Sequence, residues 1–257
     1  GLVTNLTYRT GVTSAYPVGL SGGTLEDVVI AGNSVWDGGG IRLLQTPIDS
    51  DSVRATIRRV KVVGNTIART TPYTDHPVAC GLVASQRVDV YDSEFADNEG
   101  GAVICAIAAN NCVPNLTLTN CRIVGNRISD CEGALVASSH QPATVVNTLI
   151  ADNVGGRGVF VGSGSSGSSF RNCTVSGNVA ANAVNAGIVA TTGTYKLTLV
   201  NCVFWGNRGN GGEGSANFDV TVPAGTAVPS ITYCCWPEAA RENGNTPDDP
   251  KLRTVKR

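Results

Sequence analysis

The chain has 257 residues, with 19 basic and 20 acidic side chains and a net charge of −1. That balance excludes the basic stripe that nucleic-acid binding demands, and no apolar run reaches the roughly 18 residues of a membrane span. Charged residues are 15%, aromatics 5%, and glycine is 31 of 257. With glycine well above its usual share of about 7%, many short strands joined by tight turns are favoured over long amphipathic helices. Methionine is absent, so Gly1 is expected to be an internal residue of a longer, processed chain.

Internal similarity decides the fold class. Seven segments close in the same way: LEDVVIAGN (25–33), IRRVKVVGN (57–65), VYDSEFADN (90–98), LTNCRIVGN (118–126), VVNTLIADN (145–153), FRNCTVSGN (170–178) and LVNCVFWGN (199–207). An eighth, ITYCCW (231–236), begins the pattern and breaks off. Three residues before each closing Asn stands Ile30, Val62, Phe95, Ile123, Ile150, Val175 or Phe204, with Trp236 by extension. Five before it stands Val28, Val60, Ser93, Cys121, Thr148, Cys173 or Cys202, then Cys234. A third inward column, eight before, is assigned to Leu25, Ile57, Val90, Leu118, Val146, Phe170, Leu199 and Ile231. Spacing of two is strand periodicity, with these side chains facing inward, and the step from eight to five adds a bend between two short strands.

A third strand follows each Asn: GGIRL (39–43), GLVAS (81–85), GAVIC (101–105), GALVA (133–137), GVFVG (158–162) and GIVAT (187–191). One such coil cannot bury its apolar stripe alone, whereas stacked coils share a continuous core. The expected fold is therefore all-β: a right-handed parallel β-helix, a solenoid of about eight coils of three short strands, roughly 40 Å tall at about 4.8 Å per coil. It spans residues 1–236 as one domain, with 237–257 an irregular C-terminal extension leading to a further part of the parent chain. A β-sandwich would not repeat one residue at one turn seven times, and a leucine-rich repeat lacks its LxxLxL register here. The variable intervals map to loops outside the third strand, the longest being 66–79 and 106–115.

Phe95-Ala96-Asp97-Asn98 and Phe204-Trp205-Gly206-Asn207 fit FxxN, and Gly100-Gly101-Ala102-Val103 fits GGA[ILV]. Together these resemble the repeats of polymorphic outer-membrane proteins, autotransporter passengers within the pectate-lyase-like β-helix class. The looser pattern covers about 20 to 236, with Ile or Val replacing Phe in five of the seven Asn-closed coils. The resemblance implies a secreted or surface-exposed passenger, often adhesive, and carries over no catalytic residue.

Two polar columns accompany the core. The closing Asn residues are expected to form a hydrogen-bonded ladder and to tolerate the positive φ of a turn. Six before them, Asp27, Arg59, Asp92, Asn120, Asn147, Asn172 and Asn201 form a surface column, its Asp–Arg–Asp start an alternating ion-pair ladder; Lys61, Glu94 and Arg122 alternate likewise. Of the nine Cys residues, Cys121, Cys173, Cys202 and Cys234 share an inward column and read as small apolar core groups. Cys173–Cys202 or Cys202–Cys234 can approach to about 5 Å, an awkward register for a disulfide. Cys105–Cys112 can close a loop, which fits an oxidising compartment, and an odd count leaves at least one thiol free. The spacings match no zinc motif, and no metal or cofactor is expected.

Function is read by class. An acidic-polysaccharide lyase or hydrolase needs clustered or paired carboxylates. The NTD, DD and GHG signatures of polygalacturonase-like enzymes are missing, except for Asp248-Asp249 in the tail. His76 and His140, with Asp75, Asp130 and Glu132, form the best available cluster. The preferred reading is a secreted or cell-surface module, adhesive or structural, with a glycan or host-cell ligand held by loops on the third-strand side. Tyr73, Asp75, His76, Asn110 and Asn111 are the expected substrate-binding residues, with no catalytic set; the alternative is a polysaccharide lyase or hydrolase. Tyr73, Tyr91 and Tyr195 are the aromatic candidates for sugar stacking, and Asn5, Asn115 and Asn172 stand in N-x-[ST] sequons.

Overall fold

The computed structural model describes residues 2–3, 7–8, 17–35, 40–43, 54–67, 79–84, 86–107, 115–129, 133–138, 142–162, 167–181, 186–190, 196–209, 219–221, 230–237, 239 and 241–251. All of the regular structure among them is strand, and every strand pair is parallel. One coil shows the plan: Leu116–Thr119, Arg122–Val124, Arg127–Ile128 and Gly133–Ser138 follow one another around the axis. Each belongs to a different ladder, named I to IV in that order. Among the described residues the ladders hold nine, eight, seven and eight strands.

The coil thus has four strands and not the expected three. The added ladder III lies directly after the closing Asn and contributes only two residues per coil, such as Thr66–Ile67 and Val179–Ala180. Two residues are too few to show an alternation, so composition alone hides this ladder. Its inner positions carry Ile67, Gly100, Ile128 and Ala180, and its outer ones Glu99, Arg127, Val154 and Val179.

The inward columns stack as one core. Ile30, Val62, Phe95, Ile123, Ile150, Val175 and Phe204 are all fully buried, as are Leu25, Ile57, Val90, Leu118, Phe170 and Leu199. In the fifth coil the third column is held by Val145, not Val146: Val145 pairs with Leu118 below and Phe170 above and is fully buried, while Val146 faces outward. Ile231 and Trp236 are only partly buried, because the last coil has a full neighbour on one side only.

Two corners per coil need left-handed backbone. One is the surface column, where Asp27, Arg59, Asp92, Asn120, Asn147, Asn172 and Asn201 have φ of 50–57°. The other is the residue before each closing Asn: Gly32, Gly64, Asp97, Gly125, Asp152, Gly177 or Gly206, with φ of 53–68°. The closing Asn itself does not carry the positive φ; it is freed to turn its amide inward. Gly, Asn and Asp fill these corners because they enter the left-handed region at least cost, which makes Arg59 and Tyr233 the exceptions.

Ladder IV opens with Gly for a different reason. A Cβ on Gly40 would stand 2.6 Å from Val62, one on Gly81 2.9 Å from Phe95, and one on Gly158 2.7 Å from Val175. The chain crosses over the core column there with no room for a side chain. Ladder IV is also apolar on its outer side, where Ala79, Val83, Ala102, Val136, Phe160 and Val189 form a second buried cluster. A strand buried on both faces reads as a continuous apolar run, as Ala79–Ala84 does.

Residues 241–251 lie against the last coil. Tyr233 and Trp236 donate their backbone N–H to Asn243 and Thr246 carbonyls, Thr246 donates to Cys234, and the Asn245 side chain accepts from Cys234 N–H at 2.8 Å. Asn245 thereby stands above the Cys column.

Candidate functional site

Two polar ladders run the length of the stack, one inside and one outside. The inner one is built by the closing Asn residues, all 3% exposed or less. From Asn33 to Asn178, each donates its backbone N–H and its side-chain amide to the Oδ1 of the next Asn, at 2.8–3.1 Å. The second amide hydrogen goes to a carbonyl of the preceding coil, that of Ile30, Val62, Phe95, Ile123, Ile150 or Val175, at 2.9–3.0 Å. A buried amide so fully engaged holds coils in register and has nothing left for a ligand.

Asp219 ends this ladder. Its Oδ1 accepts the backbone N–H of Asn207 at 3.0 Å and also the Asn207 side-chain amide. Burial pushes its carboxyl above the usual range, against the pull of those hydrogen bonds. A carboxyl raised in the folded state is a liability once ionised: stability falls as pH rises from the unfolded value through the folded one. Asp219→Asn keeps the acceptor and removes the charge. It is expected to raise the thermal midpoint at pH 7, and the gain should shrink towards pH 3; a lower midpoint at pH 7 would show that the carboxylate itself is needed.

The outer ladder occupies the corner between ladders I and II. Arg59 grips Asp27 through two bonds of 2.7 and 2.8 Å and also reaches Glu26. That contact holds the Asp27 carboxyl below its ordinary value and the guanidinium above its own. Further along, Asn120 donates to Asp92, Asn147 to Asn120, Asn172 to Asn147 and Asn201 to Asn172, at 2.9–3.2 Å. Beside it, Arg122 meets Glu94 at 3.5 Å, Arg54 bonds the buried Asp89, and the Arg58 guanidinium lies 5.9 Å from the Tyr91 ring centre. The expected ion-pair start is present at Asp27–Arg59, while Asp92 serves as the acceptor that begins an amide row.

This corner is the best-built polar surface among the described residues. Each exposed Asn keeps one amide hydrogen and a carbonyl lone pair for a ligand, repeated about every 4.8 Å. Asp27 is a poor proton donor, since it is clamped by a cation and held low. The arrangement suits hydrogen bonding more than acid–base work. Among the described residues no group of three or more His, Cys, Asp or Glu is placed to hold a metal ion, and no helix among them is long and apolar enough to cross a membrane.

The geometry of four parallel ladders closed by repeated turns has a counterpart in sequence. The family described as right handed beta helix region matches residues 7–222. The chain belongs to that family. Among curated proteins none matches this right-handed β-helix.

The sequence-chosen residues fall unevenly on this β-helix. Tyr73, Asp75, His76, Asn110 and Asn111 lie outside the described residues, as do Asp130, Glu132, His140, Tyr195 and Cys112. Tyr91 is described, half-buried beneath Arg58. Two outward aromatics were missed: Tyr233, 68% exposed at a left-handed corner, and the half-buried Trp205. The signal for Trp205 was available, because a residue two before the closing Asn alternates with inward Phe204 and must face out.

Proposed function

We propose that this β-helix is an adhesive or structural module of a secreted or cell-surface protein, with a glycan or other cell-surface ligand as its partner. The observation that carries the reading is the commitment of its polar side chains to neighbouring coils. The inner Asn ladder, the outer Asp–Asn ladder and the Arg–carboxylate pairs all tie one coil to the next. Such a stack is a stiff, nearly neutral rod, and stiffness with a repeated hydrogen-bonding edge is what a spacer or adhesive surface requires. The resemblance of its FxxN and GGA[ILV] motifs to autotransporter passenger repeats supports the same class and an outer-membrane setting. Recognition is assigned to the loop segments 68–78 and 108–114, the parts of 66–79 and 106–115 that lie between strands, since strand columns are fixed by packing whereas loops vary freely.

The test uses the intact chain and a variant with both loops replaced by short Gly-Ser turns. Both are applied to immobilised glycans and to cultured cells, and to pectins, alginates and glycosaminoglycans with ultraviolet detection of unsaturated uronides. The reading expects saturable binding by the intact chain, loss of that binding in the trimmed variant with the fold retained, and no uronide release. Catalytic release of uronides would replace it with the polysaccharide-lyase alternative, and unchanged binding after trimming would move recognition to the coil surface.

A further inference from the structure

The column five before the closing Asn ends in three cysteines on successive coils, Cys173, Cys202 and Cys234, each 1% exposed or less and each a free thiol. Their stacking is fixed by the backbone. Val203 N–H bonds the Cys173 carbonyl at 2.9 Å and Cys235 N–H the Cys202 carbonyl at 2.8 Å, while Cys202 N–H points at the Cys234 sulfur at 3.4 Å. The flanking residues pair in register on both sides, Thr174 with Val203 and Val200 with Thr232. In lower coils the same column holds Ser93 and Thr148, whose hydroxyls take the N–H of Val60 and Cys121 and give their proton to a carbonyl two residues back. A hydroxyl satisfies that role, so the role does not require three adjacent thiols.

We propose that Cys202 and Cys234 are an inter-coil disulfide site that latches the last coil to the stack. Coils about 4.8 Å apart place stacked Cα atoms inside the 4.4–6.8 Å range of a disulfide, while the Cβ atoms must close to about 4 Å. A coil with full neighbours above and below cannot make that closure, which leaves Cys173 reduced. The last coil can, because above it lies only the segment 241–251, joined through Asn245 and Thr246. The hydrogen bond with Cys173, together with burial and against the opposing pull of Cys234, holds the Cys202 thiol up at about 12, and the hydrogen bond with Cys202 and burial raise Cys234 as well. The folded thiols of Cys202 and Cys234 are therefore inert until the last coil lifts. The oxidant is a small disulfide such as glutathione disulfide: Cys234 thiolate displaces one glutathione, and Cys202 thiolate then attacks the Cys234 sulfur and releases the second. Two protein thiols lose two electrons and two protons, and one glutathione disulfide becomes two glutathiones.

The experiment incubates the reduced, folded chain with excess glutathione disulfide, quenches by alkylation and maps cross-linked peptides by mass spectrometry. It is run on the wild type, with fragment spectra separating Cys234 from Cys235, and on Cys235→Ser, which removes the neighbouring thiol buried against the Asp248 carbonyl. The expected result is a Cys202–Cys234 cross-link in both, Cys173 alkylated only after denaturation, and a thermal midpoint raised by several degrees that reductant reverses. Cys202→Ala should abolish both the cross-link and the shift, whereas Cys173→Ala should keep them. A chain in which Cys202 and Cys234 stay reduced under excess oxidant, or in which Cys202 joins Cys173 instead, overturns the proposal.

Discussion

Replacing Ile123 by Asp is expected to abolish cooperative folding. Ile123 is fully buried at mid-stack, paired with Phe95 below and Ile150 above. An Asp there would find apolar side chains on both coils, and the nearby Asn amides are already committed to the inner ladder and to backbone carbonyls such as that of Ile123 itself. Leaving a carboxylate unpaired in such a place, or protonating it to avoid that, costs several kcal/mol, on top of the lost burial of a large aliphatic side chain at about 2 kcal/mol or more. Against a total stability of about 5–15 kcal/mol, that is enough to unfold the domain or split the stack in two. Circular dichroism during urea titration should show no native baseline, or two transitions in place of one. An unchanged midpoint would mean that the inward register is wrong by one residue.

Asn126→Ala is expected to have the second-largest effect, about 3–5 kcal/mol, although it removes only an amide. Asn126 is 1% exposed and sits at the centre of the inner ladder. Its Oδ1 accepts from Asn98 N–H and Nδ2, and its Nδ2 donates to Asn153 Oδ1 and to the Phe95 carbonyl. Alanine leaves donors on one side and acceptors on the other buried and short of partners, each costing about 1–3 kcal/mol. The void left by the side chain adds to this. Urea unfolding measures the loss directly, and a change below about 1 kcal/mol would mean that water replaces the amide.

Much of the fold was legible because a solenoid writes its register repeatedly. Seven Asn residues at one position and three apolar columns in phase with them specify parallel stacking, and the observed pairings of Phe95, Ile123 and Ile150 follow that phase. Features shorter than the period of the pattern were not legible. Ladder III has two residues per coil, and Gly at its inner position in three coils, so no alternation marks it. The left-handed corners were displaced by one residue, because Asn is a common left-handed residue and Gly or Asp immediately before it is an equally good one. The outer amide ladder was visible as a column of Asn, yet its hydrogen bonds depended on a corner geometry that spacing does not encode. Asp219 was invisible for a similar reason: it lies outside the repeat and reaches Asn207 only through the return of the chain. The candidate ligand-binding residues were the least legible, since segments between strands, such as 68–78, obey no period.

The account rests on the coils being held in register by one continuous amide ladder. A double-mutant cycle in urea, with a stabilising osmolyte present, tests this on Asn98→Ala and Asn126→Ala. The two side chains share the bond from Asn98 Nδ2 to Asn126 Oδ1, at 3.0 Å. The double variant should therefore lose less than the sum of the singles, by about 1–2 kcal/mol, whereas Asn65→Ala and Asn178→Ala, four coils apart, should add within about 0.5 kcal/mol. Strict additivity for the adjacent pair would contradict the ladder.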